Sequence, residues 1–379
     1  MTNELTRKEF LQTLAAAAAV AAIPTFTACS ASKSKIKLGV CTYSYNGDLQ
    51  QRRMTLENCV TDMADFGAEG IEFLAEALVP DYPNPSDKWI ESWFGLLDKY
   101  KIKPVCYTGF LDTRLYKNRA MNAQELADRI ERDFKLANRM GLKIFRGMGS
   151  SWDHALDLPP GSVWAKAGVK MEDCFDKMLP LMDKYDITIA GEIHSPERLS
   201  SDLMKRLVDY IDRKKTQRIG LCVDMGIFQD RIRRNTAQNV IAQGGRQNIV
   251  DFIIKSFEEN VPQEKILAEV EKMGGNPVEL RLAGPSGIYH GSYNSANRNK
   301  PEELAKYIPY IKHLHGKFWE MGEDLKEYSI PYDKVIPVLI KGGYDGFMCS
   351  EYEGNRDVFQ AQIQLRRQHC MLRSLLAQA

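Results

Sequence analysis

The sequence predicts an α/β fold, a (βα)8 TIM barrel with a helical and loop insertion after its sixth strand. Three observations predict it: short apolar runs recur eight times, amphipathic helical patterns separate them, and the last four runs end in metal-ligating residue types. The barrel is expected to span residues 36–379, and such barrels commonly need about 250 residues or more. A doubly wound sheet is the alternative, but no GxGxxG lies at a strand–helix junction to favour it.

The first 35 residues have the pattern of an export signal and a short polar tether. Arg7 and Lys8 precede the apolar run Leu14–Ile23, and a small-residue patch ends at Cys29. TRKEFLQT resembles a twin-arginine signal with lysine in place of the second arginine, and FTAC resembles a lipobox. We therefore expect an exported protein, periplasmic or held at the membrane as a bacterial lipoprotein with Cys29 as the lipidated residue. Signal cleavage without lipidation is the alternative.

Composition excludes some partners. Lys and Arg total 51 against 50 Asp and Glu, which predicts no nucleic-acid binding and no contact with a membrane except through the N-terminal lipid anchor. Beyond the N-terminus no apolar stretch is long enough to span a bilayer. Beyond Cys29 the number of cysteines is odd and includes no CxxC pair, so neither a disulfide framework nor a cysteine metal site is indicated.

The predicted strands are short and apolar, and the helical patterns between them end on glycine or a polar turn. In chain order they are Lys37–Tyr43, Gly70–Phe73, Lys103–Tyr107, Lys143–Arg146, Thr188–Glu192, Ile219–Asp224, Tyr310–His315 and Gly346–Glu351. Amphipathic spacing marks the helices that follow the first and third strands, at Leu56, Val60, Met63 and Phe66 and at Leu126, Ile130, Phe134 and Ala137.

The connection between the sixth and seventh strands is much longer than the others. Residues 228–299, approximately, form the predicted insertion, with helical pieces at Asn248–Glu259 and Gln263–Met273 followed by the loop-forming GPSGIYHGSYNSANRN. An insertion after the carboxyl end of a strand lies over the barrel mouth, where it forms a lid or a surface for a partner. The sequence leaves both roles open.

Four residue types that bind metals stand at the ends of the last four predicted strands. They are Glu192, Asp224, His315 and Glu351. Carboxyl ends of consecutive barrel strands converge on one mouth, so we expect these side chains to meet there. Three carboxylates and one imidazole suit one divalent ion, Mn²⁺ above all, with Zn²⁺, Mg²⁺ and Co²⁺ as alternatives.

Two further residues share strand faces with this quartet. His194 lies two residues beyond Glu192 and is expected to supply a base that titrates near neutral pH, although a histidine bonded to the loop backbone is the alternative. Lys317 lies two residues beyond His315 and would be available to a substrate oxygen or carboxylate. His313, on the same face but earlier in the strand, is expected to be buried structure.

Candidate substrate-binding residues come mainly from the first four strands. An aromatic ring at a strand end can stack on a sugar face, and arginine or glutamate can bind hydroxyls; packing or a surface ion pair is the alternative for each. The candidates are Tyr43, Glu72, Tyr107 and Arg146 at strand ends, with His154 beside Trp152 in the loop SSWDH. His290 in the insertion is a weaker candidate for a lid contribution.

The order Glu, Asp, His, Glu at strand ends resembles the xylose-isomerase-like barrel superfamily of sugar and sugar-phosphate isomerases and epimerases, over residues 36–376. The run HLHGKFWEMGEDLKEYSIPYDKVIPVLIKGGYDGFMCSEYEG is similar to catalytic subunits of C-glycoside deglycosidases and related 3-keto-glycoside lyases. The resemblance implies that Glu192, Asp224, His315 and Glu351 bind one divalent ion and that His194 is the catalytic base. Epimerases of the superfamily carry a histidine shortly after the aspartate, where this chain has MGIFQDR.

The resemblance implies a metal-dependent enzyme that removes a proton next to a sugar ketone. The favoured activity is a 3-keto-glycoside 1,2-lyase, which expels the aglycone by β-elimination, or the related 2-hydroxy-3-keto-glycal hydratase. A keto-sugar isomerase or epimerase and a non-catalytic exported sugar-binding barrel are the alternatives, and balanced charge disfavours a metal-dependent endonuclease. The expected ligand is a keto-glycoside, and a partner subunit or a homo-oligomer is left open.

Overall fold

The computed structural model describes residues 34–113, 116, 119–148, 170–195, 197–284, 299–354 and 360–378. Within these residues eight parallel strands follow one another in chain order and close into a barrel, because the eighth pairs with the first. The predicted (βα)8 fold is therefore confirmed. The export signal, with Arg7, Lys8 and Cys29, lies outside the described residues, as do His154 and His290.

All eight predicted strands are present. Their bounds are β1 Lys37–Cys41, β2 Gly70–Phe73, β3 Lys103–Phe110, β4 Ile144–Met148, β5 Thr188–Ile193, β6 Ile219–Asp224, β7 Ile311–Phe318 and β8 Phe347–Tyr352. The first strand is shorter than expected, because the chain turns into a 3₁₀ helix, Thr42–Tyr45, that contains Tyr43. The third and seventh strands run three residues further than expected, which carries Lys317 into β7.

Helices lie between the strands. Their bounds are α1 Asn46–Gln50, α2 Leu56–Asp65, α3 Ala75–Leu78, α4 Asp87–Tyr100, α5 Ala123–Arg139, α6 Met171–Tyr185, α7 Asp202–Lys214, α8 Arg234–Ala242, α9 Gln247–Glu258, α10 Gln263–Lys272, α11 Pro277–Ala283, α12 Tyr332–Lys341 and α13 Ala361–Gln378. Short 3₁₀ helices at Met225–Phe228 and Pro301–Tyr310 follow β6 and precede β7. None of these helices is long and apolar enough to cross a membrane.

The main core lies between the sheet and the surrounding helices. Helix α5 shows how the sequence builds it: Asn122 caps the first turn, and Glu125 returns the hydrogen bond in a capping box. The predicted apolar stripe of this helix is buried, and the ring of Phe134 packs edge-on against Phe145 of β4 at 5.2 Å. The strand is thereby fixed to the helix that precedes it.

The four helices α8–α11, between β6 and β7, have an apolar cluster of their own. It includes Ile249, Ile253, Phe257, Ile266 and Val270. Glu279 is fully buried beside it and accepts hydrogen bonds from the Arg246 backbone nitrogen at 2.6 Å and from its guanidinium at 2.8 and 3.0 Å. The structure thus has a second, smaller packed unit in this connection. Its role as a lid or partner surface remains a prediction.

Candidate active site

The carboxyl ends of β5 to β8 bring the predicted quartet together. One ligand-type atom from each of Glu192, Asp224, His315 and Glu351 lies within 4.8 Å of the other three. All four residues are buried, with exposed fractions of 6%, 1%, 0% and 3%. The strand-end pattern therefore produces a compact group of three carboxylates and one imidazole.

The quartet fits a divalent cation. Glu192 Oε2, Asp224 Oδ2, His315 Nδ1 and Glu351 Oε2 are buried and make no hydrogen bond of regular geometry in the described part of the chain. The nearest polar atoms are other members of the cluster: His315 Nδ1 lies 2.9 Å from Glu192 Oε1, and the Lys317 ammonium lies 2.7 Å from Glu351 Oε2. Buried polar atoms are normally paired, so four such atoms facing one point indicate a shared ligand. Oxygen and nitrogen donors in this ratio suit Mn²⁺, Zn²⁺, Mg²⁺ or Co²⁺, and the geometry does not select among them.

Negative charge is in excess around the quartet. Among the described residues the buried cations beside it are Arg146, 3.4 Å from Glu192 Oε2, and Lys317, 2.7 Å from Glu351 Oε2. Burial raises the pKa of Asp224, Lys317 and His194 oppose this rise, and the carboxylates Glu351 and Glu192 add to it, so that the pKa stays above its usual value. Burial also opposes ionisation of Glu192, but Arg146 and then His315 lower its pKa to about 2. A bound divalent cation would offset this excess of negative charge.

Glu72 lies behind His315, where solvent does not reach it. The prediction that it binds substrate is therefore wrong. Its carboxylate accepts hydrogen bonds from His315 Nε2 at 3.0 and 3.1 Å, from His313 Nε2 at 2.8 Å and from Thr108 at 2.8 Å. Burial opposes ionisation, but the two imidazoles hold its pKa well below the usual range. Because Nε2 of His315 donates to Glu72, Nδ1 is the nitrogen that would ligate a bound cation.

Glu72→Gln is expected to weaken divalent-metal binding about 10- to 100-fold, the cost typical of losing a partner that orients a ligating histidine. The amide no longer fixes the tautomer and orientation of His315. Metal affinity is measured by calorimetric titration of chelated protein, with far-ultraviolet circular dichroism to confirm folding. Glu69→Gln, the same change at an exposed position three residues earlier, is the control. Equal affinity in Glu72→Gln and wild type would contradict this role for Glu72.

His194 follows β5 and lies at the edge of the quartet. Its Nδ1 lies 2.7 Å from the carbonyl oxygen of Ser195. A carbonyl can only accept, so Nδ1 carries the proton and Nε2 keeps its lone pair. Nε2 lies 3.9 Å from Asp224 Oδ2. The imidazole is therefore beside the quartet without belonging to it. Its bond to the loop backbone is the contact expected from the alternative interpretation, and its role as a base remains a prediction.

A cavity of about 340 Å³ opens above the quartet, within the usual size range of ligand pockets. We call it the inner cavity. The predicted residues that line it are Tyr43, Arg146, Glu192, His194, Lys317 and Glu351. Sequence reasoning missed Glu76, Phe110, Thr108 and Glu353, which line it too. Glu353 was detectable, because it lies two residues beyond Glu351 in the same strand-end run.

Lys317 and Arg146 line the inner cavity, and both side chains lie beside carboxylates of the site. The Lys317 ammonium contacts Glu351 at 2.7 Å, Glu353 at 3.0 Å and Asp224 at 3.3 Å. Burial lowers the pKa of Lys317, but these carboxylates outweigh burial and hold that pKa well above the usual range. Arg146 Nε and Nη1 have no hydrogen-bond partner among the described residues. Arg146 therefore has donors available for an oxygen-rich ligand.

Tyr107 does not reach the inner cavity, so its prediction as a substrate-binding residue is also wrong. It alternates along β3 with Cys106 and Thr108, and Thr108 is the residue that faces Glu72 inside the barrel. Tyr107 instead faces the helices: its ring stacks on Phe145 at 5.2 Å, and its hydroxyl lies 3.5 Å from Asp133 of α5. Because side chains alternate between the two faces of β3, knowing that Thr108 faces the barrel interior would have been enough to predict that Tyr107 faces the helices.

A closed (βα)8 barrel with a buried carboxylate–imidazole quartet at one mouth defines a barrel protein with a candidate metal site among its strand ends. Comparison with known families agrees with this class. The chain belongs to the xylose isomerase-like TIM barrel family, whose profile matches residues 60–369.

Individual relatives are distant but nearly full-length. The chain is 23% identical over 354 residues to a C-glycoside deglycosidase alpha subunit of Arthrobacter globiformis, covering 91% of this chain and 94% of that protein. It is 23% identical over 334 residues to a 3'-dehydrocarminate deglycosidase alpha subunit of a Microbacterium species, covering 84% and 88%. A crystal structure of a sugar phosphate isomerase/epimerase from Parabacteroides distasonis superposes with a TM-score of 0.52 at 13% identity, covering 93% and 98%.

Proposed function

We propose that the protein is a divalent-metal-dependent 3-keto-glycoside 1,2-lyase, which removes the proton next to the sugar ketone and expels the aglycone. The observation that carries the proposal is the position of His194, whose Nε2 lies 3.9 Å from the quartet residue Asp224 at the edge of the inner cavity. Relatives named C-glycoside and 3'-dehydrocarminate deglycosidase alpha subunits support the substrate class.

When bound by Glu192, Asp224, His315 and Glu351, a divalent ion would polarise the sugar carbonyl and lower the barrier to enolisation. His194 Nε2 takes the proton from C2. The C2–H electron pair forms the C1–C2 double bond, and the C1–O bond to the aglycone breaks with its own pair. The released oxygen is protonated by water, and an enone-type glycal remains. The hydratase reaction follows the reverse path with water in place of the aglycone alcohol: water adds at C1 and the proton returns to C2.

Arg146 and Lys317 would orient the sugar and balance its charge. Arg146 presents unpartnered donors beside Glu192, which suits hydrogen bonds to sugar hydroxyls. Lys317 holds Glu351 and Asp224 through contacts of 2.7 and 3.3 Å, so its main effect is to keep these carboxylates ionised and in place. Tyr43 lines the same cavity and offers a ring to a sugar face.

A paired substrate assay tests the proposal. Purified enzyme loaded with Mn²⁺ is expected to release the aglycone from a 3-keto-glucoside and to leave the matching unoxidised glucoside intact, because only the ketone acidifies the C2 proton. Release is followed by liquid chromatography with detection of both aglycone and glycal. Deuterium at C2 slows release if proton removal limits the rate. Interconversion of free ketoses without aglycone release would replace the lyase with the isomerase or epimerase alternative. If neither activity is detected, the sugar-binding barrel is the remaining alternative.

A second polypeptide is part of the proposal. The relatives are named alpha subunits, which supports a partner subunit for this chain as well. Homo-oligomerisation is the alternative. Light scattering of the protein alone, and again after co-purification from its source cells, separates a homo-oligomer from a hetero-complex.

Export and lipidation at Cys29 complete the proposal, motivated by Arg7, Lys8 and the apolar run Leu14–Ile23. Wild-type protein is expected to fractionate with membranes, whereas Cys29→Ser should be soluble or keep its signal peptide, because serine offers no thiol for acylation. Ser30→Ala is the matched control. Immunoblots of membrane and soluble fractions, with mass spectrometry of the N-terminus, decide the matter. Wild-type protein found wholly in the cytoplasm with Met1 intact would overturn the export proposal.

A further inference from the structure

A second cavity lies beside the inner cavity and has no part in the proposed reaction. Its volume is about 720 Å³, roughly twice that of the inner cavity. Helix α8 lines one side with Arg234 and Asn235, and the segments after β7 and β8 line the others with residues such as Trp319, Tyr328 and Tyr352. We call it the outer cavity.

The two cavities share the ends of the same two strands. On β7, Lys317 lines the inner cavity and Trp319, two residues later, lines the outer one. On β8, Glu351 lines the inner cavity, and Tyr352, the next residue, lines the outer one. The two cavities therefore lie along the ends of the same two strands, and none of the residues that the structure describes lines both of them.

Among the described residues, three buried polar atoms without partners belong to side chains that line the outer cavity. Trp319 is 4% exposed and Asn235 is 6% exposed, yet Trp319 Nε1 and Asn235 Oδ1 have no hydrogen-bond partner in the described part of the chain. Glu320 Oε2 is a third such atom. One donor and two acceptors complement hydroxyl groups, which both donate and accept.

The lining is charged but its charges are matched. Arg367 lies 3.6 Å from Glu323, Arg234 lies 4.0 Å from Glu320, and the third lining carboxylate, Asp324, lies 3.8 Å from Lys326 outside the lining. A ligand with a net charge would compete with these pairs, whereas a neutral ligand with many hydroxyls would not. The rings of Trp319, Tyr328 and Tyr352 also line the cavity, with Arg233 3.5 Å from the centroid of the Trp319 ring and Arg234 4.3 Å from that of Tyr328.

We infer that the outer cavity binds a neutral sugar unit of the substrate, one that does not itself react, so that the natural substrate is a glycoside with at least two sugar residues. The inference rests on the proposed function for the substrate class, but it concerns different residues. Asn235 Oδ1 accepts a hydroxyl proton, and Trp319 Nε1 donates to a hydroxyl oxygen.

Binding of unoxidised neutral disaccharides tests this inference without catalysis. Cellobiose, maltose and lactose are titrated calorimetrically into Mn²⁺-loaded wild-type protein, and at least one is expected to bind. For that sugar, Asn235→Ala and Trp319→Phe should each weaken binding about 2- to 10-fold, the range expected for one neutral hydrogen bond. Asn239→Ala, the same change one turn along α8 and outside the cavity lining, should bind as wild type does. Thermal melts check that each variant is folded.

The Asp224→Asn variant separates this inference from the proposed function. It removes a quartet residue, so it should lose aglycone release and still bind the disaccharide. Binding lost in Asp224→Asn would place the sugar in the inner cavity and overturn the inference, as would equal binding by Asn235→Ala, Trp319→Phe and wild type, or no binding of any of the three sugars. Disaccharide binding without aglycone release by wild type would instead overturn the proposed function alone.

Discussion

A protein with Asp224→Asn and His315→Ala together is expected to bind no divalent ion and to have no measurable activity, while its barrel stays folded. The double change removes a carboxylate and the one imidazole from a buried quartet whose ligand atoms lie within 4.8 Å of one another. Each single change should weaken binding by about tenfold or more, since loss of an outer partner alone costs about 10- to 100-fold. Metal content after dialysis is measured by inductively coupled plasma mass spectrometry.

The control for this double variant is Asp212→Asn, a change on the exposed end of α7 that leaves the quartet intact. Wild type and control should retain about one ion per chain, and chelation should remove it from both together with activity. Full metal occupancy in the double variant would end the hypothesis that these strand ends form the metal site. Unfolding of the double variant is recognised by circular dichroism, and the two single variants then carry the test.

His194→Ala is expected to keep the metal ion and lose turnover by ~10²–10⁴-fold, the contribution typical of a general base. The imidazole lies beside the quartet, with Nε2 3.9 Å from Asp224 Oδ2, and it supplies none of the four ligand-type atoms at the centre. Metal content and initial rates on the 3-keto-glucoside are measured on the same preparation, so that loss of the base is separated from loss of the ion.

His194→Gln refines this test. Its amide can still donate to the Ser195 carbonyl, which now accepts from Nδ1 at 2.7 Å, but it has no basic nitrogen. If His194 acts as the base, the glutamine variant should be as slow as the alanine variant; if it acts only by holding the loop, glutamine should restore much of the rate. A His194→Ala enzyme as fast as wild type would assign proton removal to another group.

Strand ends could be predicted because their signals are local. Glu192, Asp224, His315 and Glu351 each end an apolar run, and parallel strands of a barrel necessarily bring such ends to one mouth. Lys317 and His194 followed from the period of two along a strand. These inferences needed neither the register between strands nor the shape of any loop.

The role of Glu72 and the existence of the outer cavity could not be predicted from any single strand. Register pairs Glu72 with Cys106, and Cys106 with Ile144, the first residue of β4, so Glu72 lies in a deeper layer than Arg146. A register shift at Ile71 and Glu72 adds to this and has no sequence signature. The outer cavity arises from α8 meeting the segments after β7 and β8, which are far apart in the chain.

The separate apolar cluster of α8–α11 has a consequence for local stability. Since Ile253, Phe257 and Val270 pack within this segment rather than into the main core, it can open as a cooperative unit while the barrel persists. Its amide protons should exchange with solvent deuterium together, and faster than those of the barrel strands. A ligand or partner that binds this segment should therefore slow amide exchange in these four helices while exchange in the barrel strands stays unchanged.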